Sequence, residues 1–171
     1  TTFTIGTGAN QGDVIVLDEE RCILCSRCVR FFEDVTKKPQ LTVSGLGAKS
    51  VIDTFMERPL QGNYQGNLAD ICPVGALTLK QFRFQARVWN LSKSLSHCAE
   101  CSRGCAVTVE LLRHKEVKRF RPRYDEAVNQ WWMCDEGRYG WKYVHDEHRQ
   151  TAPRRRLADP EPNGATHENL E

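Results

Sequence analysis

Eight cysteines occur in the 171 residues, and they fall into two groups of four: Cys22, Cys25 and Cys28 with Cys72, then Cys98, Cys101 and Cys105 with Cys134. Each group is a tight triplet closed by one distant residue. A triplet spaced C-x2-C-x2-C wraps the chain around a compact object and turns three thiolates toward it, which suits three irons of a 4Fe-4S cube. Two quartets predict two 4Fe-4S clusters. A chain holding two one-electron centres reads as an electron conduit.

Two other uses of cysteine compete. Disulfide scaffolds are denser in cysteine than 8 in 171 residues, so bridges are not expected. Zinc is the stronger rival, because tetrahedral sites also use four thiolates, but zinc modules usually present two separated C-x2-C pairs. The first quartet, with its ferredoxin-type run, favours iron; the C-x2-C-x3-C of the second is less decisive alone and is read in the light of the first. The spacing leaves open whether Cys72 and Cys134 serve the quartet of their own half or exchange between halves. Domain-local ligation is the simpler arrangement. His97 abuts Cys98 and offers either a substitute ligand or a hydrogen bond to the site.

The elements that must position these residues read as α+β. Residues 1–13 are expected as an extended lead-in, 14–90 as a first 4Fe-4S domain, 91–148 as a second, and 149–171 as a Pro-rich linker carrying Arg154-Arg155-Arg156. In the first domain Val14 to Leu17 predicts a short buried strand. A helix follows from about Ser26, with Val29, Phe32 and Val35 on one face. Leu41 to Ser44 and Ser50 to Phe55 read as strands joined around Gly45-Leu46-Gly47, and Arg58 to Asn67 as loop. In the second, Val88 to Leu91 is strand-like, while Val107, Val109 and Leu111 alternate with Thr108, Glu110 and Leu112 as in a half-buried strand. Val117 to Arg121 returns antiparallel through the polar turn Arg113-His114-Lys115-Glu116, making a hairpin beside the second cluster. Trp131-Trp132-Met133 is expected to shield that cluster, and Glu136 to Val144 to form a short helix.

Composition sets the bounds. Hydrophobic residues make up 40% and mean hydropathy is -0.55, so the core is modest and metal ligation must help hold the fold. The formal charge of +2 becomes roughly -2 once two oxidised cubes of about -2 each are added. Nothing points to nucleic acid. No apolar run is long enough to span a bilayer, so membrane contact would come only through partners. Arg21, Arg27 and Arg30 bracket the first triplet, where positive charge would raise a cluster's potential unless the side chains are simply solvated.

Arg21-Cys22-Ile23-Leu24-Cys25-Ser26-Arg27-Cys28-Val29-Arg30-Phe31, followed by Asp70-Ile71-Cys72-Pro73-Val74-Gly75-Ala76-Leu77 and Cys134-Asp135-Glu136-Gly137-Arg138-Tyr139-Gly140, closely resembles the large iron-sulfur subunit of respiratory complex I, NADH:quinone oxidoreductase. The resemblance covers about Val14 to His148. It implies a ferredoxin-like cluster domain followed by a hairpin-containing 4Fe-4S domain of the molybdopterin-oxidoreductase N-terminal type. It further implies that Cys22, Cys25, Cys28 and Cys72 hold a cluster on the route from flavin toward quinone. Cys98, Cys101, Cys105 and Cys134 then hold an extra cluster, known in some bacterial members, that lies off the main path. The implied partners are an NADH-oxidising flavin subunit and downstream iron-sulfur and quinone-site subunits, on the cytoplasmic side of the inner membrane. The family's upstream 2Fe-2S region and downstream molybdopterin-type domain have no counterpart in these residues, which reads as a segment of a longer subunit or a reduced variant.

The second quartet also opens molybdenum and tungsten enzymes such as formate dehydrogenases, and a relay of that kind, or of an NAD-linked hydrogenase, is the alternative. Those enzymes commonly place a lysine just after the last cysteine, where this chain has Asp135-Glu136. No general base, nucleophile or phosphate-binding glycine loop accompanies the cysteines, so the chain alone carries no evident active site.

Overall fold

A computed structural model describes residues 2–8, 12–54, 58–150 and 152. The linker expected at 149–171 lies almost wholly outside the described residues, as does Phe55.

The run Val14-Ile15-Val16-Leu17 is buried throughout, which requires cover on both faces and both edges. It is the middle of β2 (Gly12–Asp18), the centre of a three-stranded antiparallel sheet. One neighbour is β1 (Thr2–Gly8), which runs from Thr2 opposite Asp18 to Gly8 opposite Gly12. The expected lead-in therefore contains a paired strand. A 3-10 turn, Glu19–Arg21, takes the chain into the first cysteine loop, and α1 (Arg27–Arg30) leaves it.

The helix face differs from the sequence expectation. Cys28, Phe31 and Phe32 are buried, while Val35 is 38% exposed. The cause is a widening of the helix into a π turn over Phe31–Val35, which lengthens the period so that two adjacent phenylalanines face the core. Strands β3 (Leu41–Ser44) and β4 (Val51–Thr54) pair antiparallel. The turn between them uses Gly45 at φ +80, where a Cβ would meet the Lys49 carbonyl oxygen.

A five-residue helix, α2 (Asn67–Ile71), and a three-residue strand, β5 (Leu77–Leu79), complete the first half. β5 pairs with β2 on the edge opposite β1. Neither element is among those expected from the sequence, and between them lies Cys72. The core of this half gathers Ile15, Leu17, Phe31, Phe32, Leu60 and Leu68, and includes Tyr139 from the second half.

The second half is a three-stranded antiparallel meander, β6 (Leu91–His97), β7 (Ala106–Leu112) and β8 (Glu116–Pro122). Strand structure starts at Leu91 rather than Val88. Val88 and Trp89 are exposed at 45% and 79% and form a 3-10 turn, because pairing begins only where Leu91 meets Leu112. Val107 is buried as expected, but Val109 and Leu111 are half-buried and Glu110 is wholly buried. Its carboxylate pairs with Arg119 at 2.6 Å, and the Arg119 guanidinium lies 3.9 Å from the Phe82 ring centroid. The last helical elements among the described residues are α3 (Asp135–Tyr139) and a 3-10 turn, Gly140–His145.

The β7–β8 hairpin turns through Arg113 and His114, both at positive φ (53° and 59°), and Lys115 N–H donates to the Leu112 carbonyl at 3.1 Å. This is the type I′ geometry that favours Asn-Gly. Replacing Arg113-His114 with Asn-Gly should stabilise the chain by roughly 1–2 kcal/mol, since two left-handed residues with bulky side chains are relieved. Thermal unfolding of the two proteins checks this, and an unchanged or lower midpoint would contradict it.

Candidate iron-sulfur sites

The first triplet is shaped by backbone conformation. Leu24 and Ser26 adopt φ of 53° and 60°, a left-handed conformation that costs non-glycine residues energy. Left-handed residues alternating along a short loop turn successive N–H groups inward, as anion-binding nests do. The Leu24 N–H donates to Cys22 Sγ at 3.4 Å, and the Cys22 N–H ties the loop back to the Glu19 carbonyl at 3.0 Å. Cys28 is buried in the first turn of α1. Cys72 arrives from the end of α2, and the Leu77 N–H donates to its Sγ at 3.5 Å. All four thiols line one recess, walled by Leu17, Ile52, Ile71 and Leu77. Arg21, Arg27 and Arg30 are exposed, and Arg21 pairs with Asp18 at 3.2 Å. Solvation is thus the better description of the three arginines.

The second site hangs from the sheet. β6 delivers Cys98, whose N–H donates to the Cys105 carbonyl at 2.8 Å, while the Gly104 N–H donates to the Cys101 carbonyl at 3.3 Å. Gly104 takes φ of +61, the conformation that lets so short a loop close. Cys105 then runs directly into β7. Asn129 pins that junction: its Oδ1 accepts from the Ala106 N–H at 2.9 Å, and its Nδ2 donates to the carbonyls of Arg123 and Trp132 at 3.1 and 3.2 Å. Cys134 is the N-cap of α3, its Sγ accepting from the Gly137 N–H at 3.4 Å. A Cβ at Gly137 would come within 2.8 Å of Cys98 Sγ and 3.4 Å of Cys134 Sγ. Glycine there is what allows helix and thiols to approach. Cys98 and Cys105 are buried and Cys101 is exposed. Cys101, Cys105 and Cys134 face an open groove shared with Phe32 and Tyr64 of the first half.

The tryptophans divide their duties. Met133 is buried against Cys98 and Cys105. Trp132 instead packs on Phe31 of the first half, ring centroids 4.9 Å apart, and Trp131 is 62% exposed, stacked on Tyr124 at 4.6 Å. Met133 alone of the three is packed against the second group of thiols. His97 is exposed at the end of β6.

Charge defines what these recesses can hold. Burial pushes the Cys28 thiol up to about 11, with Cys22 and Cys25 nearby adding to the rise. Cys98 and Cys105 are raised as well, again chiefly by burial, with the other thiols of their group contributing. Crowded, buried thiolates need a cationic centre to neutralise them. An all-sulfur donor set with N–H groups directed at Sγ atoms fits an iron-sulfur cluster, and such hydrogen bonds tune its potential. Among the described residues, no three thiol, imidazole or carboxylate groups converge to hold a metal ion.

Several residues that organise the sites lie in the quoted Cys72 and Cys134 motifs but have no role that the sequence assigns. Asp135 is buried, with its two carboxylate oxygens accepting from the Gly66 and Gln65 N–H groups at 2.7 and 2.8 Å. Arg138 is also buried and pairs with Asp70 at 2.7 Å. Burial raises the Asp135 carboxyl, while those N–H groups and Arg138 work against the rise.

Comparison with known proteins finds two family matches along the chain. Residues 12–78 match the family described as NADH-quinone oxidoreductase subunit 3, ferredoxin-like domain, and residues 91–146 match the molybdopterin oxidoreductase Fe4S4 domain. The chain is 41% identical over 139 residues to NADH-quinone oxidoreductase subunit 3 of Thermus thermophilus, covering 81% of this chain and 17% of that protein. It is 40% identical over 147 residues to a subunit of the NADH-quinone oxidoreductase of Streptomyces coelicolor, with 86% and 17% covered. With the mitochondrial 78 kDa subunit of NADH-ubiquinone oxidoreductase from Neurospora crassa it shares 40% over 130 residues, 76% and 17%. The chain thus spans about 17% of the length of the curated relatives it matches. A ferredoxin-like and an Fe4S4 domain in this order, with relatives of one kind across both, make the chain a member of the large iron-sulfur subunit family of NADH:quinone oxidoreductases.

Proposed function

We propose that Cys22, Cys25, Cys28 and Cys72 hold one 4Fe-4S cluster and Cys98, Cys101, Cys105 and Cys134 a second, in the domain division 14–90 and 91–148. A 4Fe-4S cluster supplies a one-electron redox centre without proton chemistry of its own. The chain is then an electron-relay segment of the peripheral arm of an NADH:quinone oxidoreductase, between a flavin subunit and the iron-sulfur and quinone-site subunits beyond. It performs no substrate chemistry itself. It sits on the cytoplasmic side of the membrane and meets the bilayer only through partners. Among the described residues no helix is long and apolar enough to cross a membrane.

The observation that carries this reading is the convergence of Cys72 with the first triplet on one recess, within a segment that matches the ferredoxin-like domain family. It favours domain-local ligation over exchange with Cys134. The zinc reading is disfavoured by spacing, since zinc modules usually present two separated C-x2-C pairs, whereas each quartet here is a triplet closed by one distant cysteine. The pterin-metal relay is disfavoured by Asp135. It stands where those enzymes commonly carry lysine, and its carboxylate is committed to backbone N–H groups of the first half.

Anaerobically purified protein should contain about eight irons and eight acid-labile sulfides per chain, with paramagnetic signals on reduction. Stoichiometric zinc and a silent spectrum would overturn the assignment. In the parent complex, Cys25→Ala should interrupt NADH-to-quinone transfer, because one open iron and an unfixed loop remove the first cluster. Cys101→Ala should lower assembly more than the rate measured at matched assembly. Equal loss of rate would put both clusters on the route, and equal retention would show that the first is not the conduit.

A further inference from the structure

Three thiols of the first quartet share one loop, but Cys72 comes from elsewhere and needs its own support. On its C-terminal side that support is β5, paired with β2, together with the Asp18 N–H bonded to the Ala76 carbonyl at 2.8 Å. On its N-terminal side stands α2, five residues long. A single turn of helix does not hold itself in water.

What holds α2 is the second half of the chain. The Asp135 carboxylate caps it from a distance by accepting from Gln65 and Gly66, and the Asp135 N–H returns the contact by donating to the Asn63 carbonyl at 2.9 Å. Asn67, wholly buried, reads both backbone groups of Met133: its Nδ2 donates to the Met133 carbonyl at 2.9 Å and its Oδ1 accepts from the Met133 N–H at 3.2 Å. The same Oδ1 accepts from Arg138 Nη2 at 3.1 Å. Arg138 Nη1 reaches the Asp70 carboxylate, whose other oxygen accepts from Arg121 Nε at 3.0 Å. The Cys72 N–H closes on the Leu68 carbonyl at 3.2 Å. The residue two before Cys72 and the residues flanking Cys134 therefore belong to one buried polar network.

We propose that Asp135 and Arg138 are positioning residues for Cys72, so that the fourth thiol of the first quartet is held by side chains of the second domain. This rests on the reading of Cys22, Cys25, Cys28 and Cys72 as one cluster site. Gly66 belongs to the same device. A Cβ there would come within 2.5 Å of the Arg138 side chain and 2.8 Å of Asp135 Oδ1, and neither group has room to retreat because both are buried. The network is closely matched in charge as well, two carboxylates set against two guanidinium groups, so removing one member leaves a buried partner uncompensated.

The test compares the full chain, purified anaerobically with its iron, against Asp135→Ala, Asp135→Asn and Arg138→Lys. Hydrogen exchange across residues 64–72 should speed up by about ten-fold or more in Asp135→Ala as the helix opens locally. Asparagine, which keeps one acceptor oxygen, should restore part of the protection. The first cluster should be stripped by a chelator about ten-fold faster in Asp135→Ala, in line with the local opening that exposes it. Its paramagnetic signature should change in Arg138→Lys while that of the second cluster persists. If Asp135→Ala does not fold, the other two variants carry the comparison. Unchanged exchange at 64–72 in the variants overturns the proposal, as does a change confined to the second cluster. Absence of a first cluster from the unsubstituted chain would defeat the site assignment instead, and the exchange measurement would still decide whether Asp135 and Arg138 hold residues 64–72.

Discussion

Four thiolates cannot share a recess unless something positive shares it with them. Burial already raises Cys28, Cys98 and Cys105 as single groups, and ionising their neighbours makes each rise further. The arginines at the rims, Arg27 beside the first recess and Arg103 beside the second, are exposed, so water screens much of what they could offset. The structure answers instead with N–H groups of Leu24, Leu77 and Gly137 directed at sulfur. Those dipoles help, but the bulk of the compensation would fall to the cationic core of the proposed clusters. With those clusters, folding around each triplet and acquisition of the core become one event rather than two.

The two halves meet this constraint with different resources. The first has an apolar core of strand, helix and loop residues against which Cys22, Cys28 and Cys72 lean. In the second, the buried apolar cluster among the described residues is Cys98, Cys105, Val107 and Met133, with Phe120 against it. Two of those four are themselves proposed ligands. The meander and Asn129 give the second half its shape through hydrogen bonds, and it borrows burial from the first by inserting Tyr139 into that core and laying Trp132 on Phe31. Such a small unit needs metal or a neighbour to be stable, and here it has use for both.

The buried strand around Ile15, the β3–β4 pair and the β7–β8 hairpin were legible because each rests on local spacing or alternation, and the spacing of the cysteines grouped the four that the structure brings to the first recess. The helix after Cys25 was legible in place but not in facing, since a π turn brings Phe31 and Phe32 inward together and no periodicity rule contains it. α2 and β5 are too short to leave a pattern, and α2 is capped by a carboxylate about seventy residues away. In the sequence Asp135 and Arg138 are charged members of the motif that follows Cys134, with nothing to mark them as interior. Only the packing of one half on the other makes them interior, and that is a property of tertiary structure which composition and period do not encode.

The exposure of Cys101 has a practical side. A cluster loses its integrity in air by attack at the corner that dioxygen reaches first, and reactivity follows access and thiolate character. At the first recess apolar side chains line the wall, whereas at the second one corner thiol is exposed and the adjoining groove is open. With a cluster in each recess as proposed, oxidative wear would begin in the second domain and the centre beside β2 would stay intact the longest. A preparation aged in air would then record this difference in shelter in the order in which the two sites decay.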